Sequence, residues 1–289
     1  MLRCAQSQPC EAIRASIDEL LPHGGLVLSM QAGFDDGGTG NASITCVAGY
    51  FFRDDVLSDF RSEWRRLLNG RRFRMVNLVH GHKDFEDLDE PQRDELARGL
   101  IAAIKQHMTL GVVVSVERAA YDKCIAMHGD DIRSVGRPFG LCATLCLGYS
   151  ARWMEEQQMP PEETIYFFES GSSNQADANK FLNSIPDNSA LDERYRYVSH
   201  GFIKKNKLAA LDAADLLAWE WIQQCKRLSG QEKRPTRASL RSLCERPHVG
   251  EHFDGKNMEL AFARALLEPF VVPAQYPPLF VRPEPRDKE

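Results

Sequence analysis

Apolar and polar positions alternate along this chain in a way that separates strands from helices. Leu26 to Phe34 is an apolar run stopped by Asp35-Asp36-Gly37-Gly38, which is strong turn chemistry. Ala42 to Phe52 is a second run, rich in β-branched and aromatic residues, and the two predict an antiparallel hairpin across the glycine turn. From Asp54 to Leu68, the residues Leu57, Phe60, Trp64 and Leu67 or Leu68 recur at helical spacing. Phe73 to His80 reads as a short strand, and Pro91 opens a helix to about Met108, since proline suits a first turn. Gly111 to Val116 is almost purely β-branched, the pattern of a fully buried strand. Pro138 to Gln158 (helix), Thr164 to Glu169 (strand), Asn174 to Ile185 (helix), Tyr195 to Ile203 (edge strand) and Leu208 to Leu228 (long helix) follow. Strands alternating with helices after an opening hairpin predict an α/β protein, a mixed sheet covered by helices.

This pattern bounds a core over residues 23–228. Residues 1–22 read as a loosely tied segment with a short helix from Cys10 to Leu21. Residues 229–289 read as a C-terminal extension, basic and polar, with one helix near Met258 to Leu267. The stretch Pro273 to Glu289 carries five prolines and reads as an extended strap.

Composition narrows the class. Hydrophobic residues make up 43% and charged residues 27% of the 289, the balance of a globular protein. No apolar run approaches the roughly 18 residues of a spanning helix, and Met1 to Ala15 lacks the apolar core of a secretory signal. The eight cysteines include no Cys-x-x-Cys pair, and Cys142 and Cys146 stand four apart in an apolar helix. They are expected to be reduced, buried thiols, which points to a cytoplasmic protein. The net charge of −5 conceals basic clusters at residues 61–74 and 226–246, set against an acidic stretch from Asp84 to Glu95. Arg65, Arg66, Arg71, Arg72, Lys233, Arg234 and Arg237 are candidate contacts to a phosphate backbone, because counterion release acts locally; solvated helix faces explain such clusters equally.

Three acidic motifs stand on apolar elements. In the helix Leu208 to Leu228, Leu208, Leu211, Asp215, Ala218, Trp219 and Ile222 fall within an arc of about 100°, with Asp215 in the middle and Asp212 at its border, while Leu216, Leu217 and Trp221 make the helix apolar nearly all round. A carboxylate so placed needs a cation, donors or a proton. Glu169 ends an apolar strand and precedes Ser170-Gly171-Ser172-Ser173; Asp35 ends the first strand and also precedes glycines. Carboxylates at the C-terminal ends of neighbouring strands stand where α/β sheets place ligand sites. Gathered carboxylates repel one another, and Mg²⁺ or Mn²⁺ resolves this while leaving positions open for substrate phosphates. The glycines Gly37, Gly38 and Gly171 are expected to let a phosphate or backbone approach.

Phe34-Asp35-Asp36-Gly37-Gly38-Thr39, followed by Val47-Ala48-Gly49-Tyr50 and a helix bearing Trp64, resembles the opening of the domain-of-unknown-function family 3800. Phe167-Phe168-Glu169-Ser170-Gly171 is similar to its middle strand and loop. The run Leu211-Asp212-Ala213-Ala214-Asp215-Leu216-Leu217-Ala218 is similar to its closing Leu-Gln-x-Ala-Asp-Leu-Leu-Ala helix. The resemblance spans roughly residues 26–228 and implies a ribonuclease H-like fold with catalytic carboxylates Asp35, Glu169 and Asp215, and Asp36 and Asp212 as further metal ligands. The activity it implies is nuclease-like phosphodiester chemistry on DNA or RNA. Gly37 replaces the family's usual serine and Asp212 its usual glutamine.

Other candidates carry less. His80 and His82 stand at strand alternation without an evident third ligand, and Glu117 follows a buried strand. All three are auxiliary candidates at an acidic centre, as metal ligands or proton carriers. Trp64 and Phe73 adjoin arginines, which suits base stacking, although Trp64 shares its helical face with Phe60 and Leu67 and reads as core. The alternatives to a nuclease are a non-catalytic interaction protein on the same scaffold and a hydrolase of small phosphoesters.

Overall fold

The computed structural model describes residues 29–38, 42–129, 137–160, 162–171 and 175–267. The helix expected from Cys10 to Leu21 and the strap from Pro273 lie outside these residues. The chain opens with β1 (Ser29–Gly37) and β2 (Ile44–Arg53), continues through α1 (Asp54–Leu68), α2 (Met75–His80) and α3 (Glu90–His107), and returns as β3 (Leu110–Glu117). Then come α4 (Arg118–His128), α5 (Pro138–Glu156), β4 (Glu163–Glu169), α6 (Gln175–Ser184), α7 (Ser189–Tyr195) and β5 (Tyr197–Ile203). The long α8 (Ala209–Leu228), α9 (Ala238–Leu243), β6 (His248–Phe253) and α10 (Met258–Leu267) complete it.

The six strands form one sheet in the order β5-β4-β1-β2-β3-β6. β1, β2 and β3 are an antiparallel meander, β4 joins β1 in parallel, and β5 joins β4 in parallel. Those five strands have the order and directions of a ribonuclease H-like sheet, as the resemblance implied. Helices cover both faces, which is why β2 and β3 read as nearly continuous apolar runs. On one face Phe34, Val47, Phe51, Val112 and Val114 pack with Leu141 and Leu145 of α5. On the other, Ala48, Tyr50, Phe52 and Val113 pack with Phe60 and Trp64 of α1, Ile104 of α3 and Leu216 of α8. Cys142 and Cys146 of α5 point their thiols at the β2 carbonyls of Thr45 and Val47, and none of the described cysteines is in a disulfide.

Two expectations are corrected and a third is refined. The segment from Phe73 to His80 is not a strand: its second part is the helix α2, with Met75 and Leu78 buried three residues apart. The N–H of Met75 at its start is bound by the carboxylate of Asp215, and Gly81 caps its end in the left-handed conformation (φ 64°). The region beyond residue 229 is more than an appendage, because β6 pairs in parallel with β3 and buries Phe253 in the core. Finally, the single arc drawn for α8 gives way to the all-round apolar character that Leu216, Leu217 and Trp221 lend it. The helix is sandwiched between the sheet and α1, α2 and α9, so Leu216, Leu217 and Trp221 are buried along with Leu211 and Ala218.

Strand alternation decides what α8 meets. Ala32 and Phe34 of β1 face α5, so Gly33, Asp35 and Gly37 face α8. A Cβ on Gly33 would lie 2.8 Å from the carbonyl carbon of Ala210, and one on Gly37 would lie 2.5 Å from Ile222 Cδ1. The bare backbone at both positions lets the helix approach β1. Gly37 therefore makes room for α8 through Ile222, a close approach of the kind expected at that glycine, with a helix taking the place of a phosphate.

Candidate active site

Asp35 stands between the two contact glycines on β1, and its side chain is buried under α8. Glu169 ends β4, on the same sheet face as Ile165 and Phe167. Asp215 projects from the first third of α8. Single oxygens of Asp35, Asp36 and Glu169 lie within 4.8 Å of one another, close enough to share one ion. Asp215 joins them through a residue that sequence reasoning missed. The ammonium of Lys205, in the loop between β5 and α8, donates to Asp35 Oδ2 at 3.0 Å and to Glu169 Oε2 at 2.9 Å, and lies 3.0 Å from Asp215 Oδ1. The available signal was the run Lys204-Lys205-Asn206-Lys207 immediately before the acidic helix.

Arg74, just before α2, adds a more exposed cation 3.7 Å from both Glu169 and Asp215. The N–H of Met75 donates to Asp215 Oδ2 at 2.7 Å, so the start of α2 fixes this carboxylate. Burial pushes the Asp35 carboxyl well above the usual carboxylate range, and a hydrogen bond shared with Glu169 adds to this. Burial also works on Glu169, but its bonds to Asp35 and Lys205 bring it below its ordinary value. For Lys205, burial opposes the charge, yet Asp215, Asp35 and Glu169 together hold its pKa above that of a free lysine.

The remaining candidates divide. Asp212, one turn before Asp215, is turned toward α1: its Oδ2 accepts the indole N–H of Trp64 at 3.2 Å. Burial raises its pKa to about 7, and it lies outside the tight group of oxygens. The expected support for a metal is thereby corrected. Trp64 is core, as expected. Glu117 is two strands, about 10 Å, from β1 and faces His252 Nε2 at 3.9 Å, so it does not reach the centre. His80 and His82 have ring centroids 5.8 Å apart, and no third donor joins them among the described residues.

The first basic cluster is largely paired with acids close in sequence. Arg66 lies 3.9 Å from Glu63, Arg71 binds Asp87 at 2.6 Å and Arg72 binds Asp84, while Arg65 is exposed on the last turn of α1. The second cluster lines a groove of about 620 Å³ between α2, α8 and residues 232–241. Arg237 is bonded to the fully buried Glu220 and lies 4.7 Å over the ring of Trp219; Arg234 is paired with Glu232. Lys226, Arg227 and Arg241 add positive charge to the lining, and Lys233 is exposed beside it. The groove adjoins the carboxylates, since Trp219 is one turn from Asp215 and Val76 follows Met75.

No protein-family model matches the sequence, and neither does any curated protein. Among solved structures, the chain is similar to a point mutant of Bst-RNase HIII, at 13% identity over 76% of this chain and 67% of that one, with a TM-score of 0.37. Likeness of that extent assigns no role to any residue. No helix among the described residues is long and apolar enough to cross a membrane.

Proposed function

We propose that this protein is a divalent-metal-dependent phosphodiesterase acting on nucleic acid, with Asp35, Asp36 and Glu169 as metal ligands and Asp215 completing the set. The observation that carries this reading is the convergence of carboxylate oxygens from β1 and β4, within 4.8 Å, at the ends of neighbouring parallel strands. The donors fit Mg²⁺ or Mn²⁺: all are oxygens, as hard cations prefer, and the buried Asp35 Oδ1 accepts no hydrogen bond. Bound there, the metal would supply Lewis acidity at a phosphoryl oxygen and a hydroxide near neutral pH. The chain's own residues do the positioning. Met75 N–H orients Asp215, and Arg74, at the rim, offers its guanidinium to an entering phosphate. Lys226 and Arg227 in the adjoining groove would hold the backbone beyond it, with Trp219 available for stacking.

One observation favours a second reading, a non-catalytic scaffold that binds a partner: all three carboxylates already contact Lys205. Incubation with single-stranded and duplex DNA and RNA in Mn²⁺ separates the two. The nuclease reading expects Asp35→Asn and Asp215→Asn to abolish cleavage. It also expects Lys226→Ala with Arg227→Ala to weaken binding of every sequence and to lower the salt slope by about 1.5. Equal cleavage by wild type and both carboxylate variants would sink it.

A further inference from the structure

We infer that the Lys205 ammonium is the resident cation of the carboxylate centre and that a divalent metal enters only by displacing it. This rests on Asp35, Asp36 and Glu169, completed by Asp215, being the metal-binding set proposed above. An ammonium has three N–H donors, and Lys205 donates to Asp35 and Glu169 and pairs with Asp215, three carboxylates from three elements, at 2.9 to 3.0 Å. Its side chain is only 10% exposed, so solvent contributes little at this position. Mg²⁺ binds its oxygen ligands at roughly 2.0–2.1 Å. One oxygen set cannot close on a metal while surrounding an ammonium at its centre, so the two occupants exclude each other.

Charge and linkage make the exchange feasible. Three carboxylates face one ammonium and the partly exposed Arg74, and Asp36 adds a further acid at the edge. A dication therefore neutralises the cluster better than lysine alone. Lys205 is carried on a loop rather than on the sheet or on α8, and its four-carbon stem can withdraw by rotation alone. The strands that present Asp35 and Glu169 need not move. Lysine thus keeps the carboxylates together without metal and sets a threshold for metal entry.

The consequence is quantitative. If the lysine-out form is a tenth of the population or less, the apparent Kd for metal is raised about tenfold or more over that of a chain without the ammonium. Mn²⁺ titration of the full chain, followed by the loss of free-ion electron paramagnetic resonance, compares wild type, Lys205→Met, Lys205→Arg and Asp35→Asn. The expected order has Lys205→Met binding about tenfold tighter than wild type, Lys205→Arg no tighter than wild type, and Asp35→Asn not binding. Amine labelling of wild type provides a second measurement that needs no variant. Lys205 should be protected in chelator and become labelled in saturating Mn²⁺, with the other lysines unchanged. Equal Mn²⁺ affinity in wild type and Lys205→Met, or Lys205 still protected in the metal-bound protein, overturns the competition and leaves the metal site standing. Absence of Mn²⁺ binding in both wild type and Lys205→Met overturns the metal reading itself.

Discussion

Asp212→Asn should stabilise the protein progressively as pH rises, and the size of the effect follows from burial. Asp212 is 5% exposed, and its pKa is raised from an ordinary 3.8 to about 7, chiefly because burial disfavours the anion. A carboxyl raised in the folded state leaves stability intact below its unfolded pKa and loses it as pH climbs through the folded one. The shift therefore costs the native state ~4 kcal/mol by pH 8, of which ~1.5 kcal/mol is already lost at pH 5, where the unfolded chain has given up the proton and the folded one has not. Asparagine keeps the shape and can still accept the Trp64 indole N–H through its oxygen. Its amide nitrogen would take the place of Oδ1, which has no hydrogen-bond partner, at a cost of ~1–3 kcal/mol. That cost is the same at every pH, whereas the gain is not. Urea unfolding in chelator at pH 5 and pH 8 should thus show the variant's stability relative to wild type rising by ~2.5 kcal/mol between the two. Curves that stay parallel within ~0.5 kcal/mol would show that Asp212 is not held neutral by burial, and the account of this residue would fail.

Two further outcomes test the packing around the site. Gly33→Ala should lose ~1–3 kcal/mol in urea unfolding, because its Cβ would meet the Ala210 backbone at 2.8 Å, whereas Gly255→Ala, with nothing within 4 Å, should change stability by less than ~0.5 kcal/mol; similar values for both would contradict the close approach of α8 to β1. His248 on β6 is buried with its pKa lowered to about 4, its Nδ1 bonded to the Arg246 carbonyl and its Nε2 to the Tyr50 hydroxyl, an arrangement that suits neutral imidazole. The unfolded chain takes up the proton first, so stability present above pH 6.5 is lost on acidification, by ~2 kcal/mol at pH 5. Comparing the urea midpoints of wild type and His248→Gln at pH 7.5 and 5 tests this, and an unchanged acid slope in the variant argues against it.

Where the hydrophobic pattern is strong, local sequence and structure agree. The face of α1 defined by Leu57, Phe60, Trp64 and Leu68 is buried, β3 is the buried strand its β-branched run predicts, and Pro91 stands in the first turn of α3, inside a capping box formed by Asp89 and Gln92. The misread elements are short and take their structure from distant partners. α2 begins where Asp215, 140 residues away, accepts the Met75 N–H. β6 buries only His248 and Phe253 at its two ends and exists as a strand because the β3 edge was free to pair with it. No local pattern encodes either event.

The same contrast governs charge at the site. Clusters visible in the sequence contain opposite charges within reach of one another, and in the folded chain these pair locally: Arg71 and Arg72 with Asp87 and Asp84, and Arg234 with Glu232. Exposed pairs of this kind contribute little to stability. The cations at the carboxylate centre are Lys205 and Arg74, which come from loops on either side of it and, in the case of Lys205, face acids 36 and 170 residues away. Carboxylates on β1 and β4 were legible because each ends an apolar run in a position water would not normally leave charged. Their counter-ion was not legible, because a lysine in a polar loop looks like any solvated lysine until parallel pairing of β4 with β5 brings the loop after Ile203 alongside Glu169. A carboxylate cluster read from sequence therefore shows where a cation must be, and only the fold decides whether the chain supplies that cation itself.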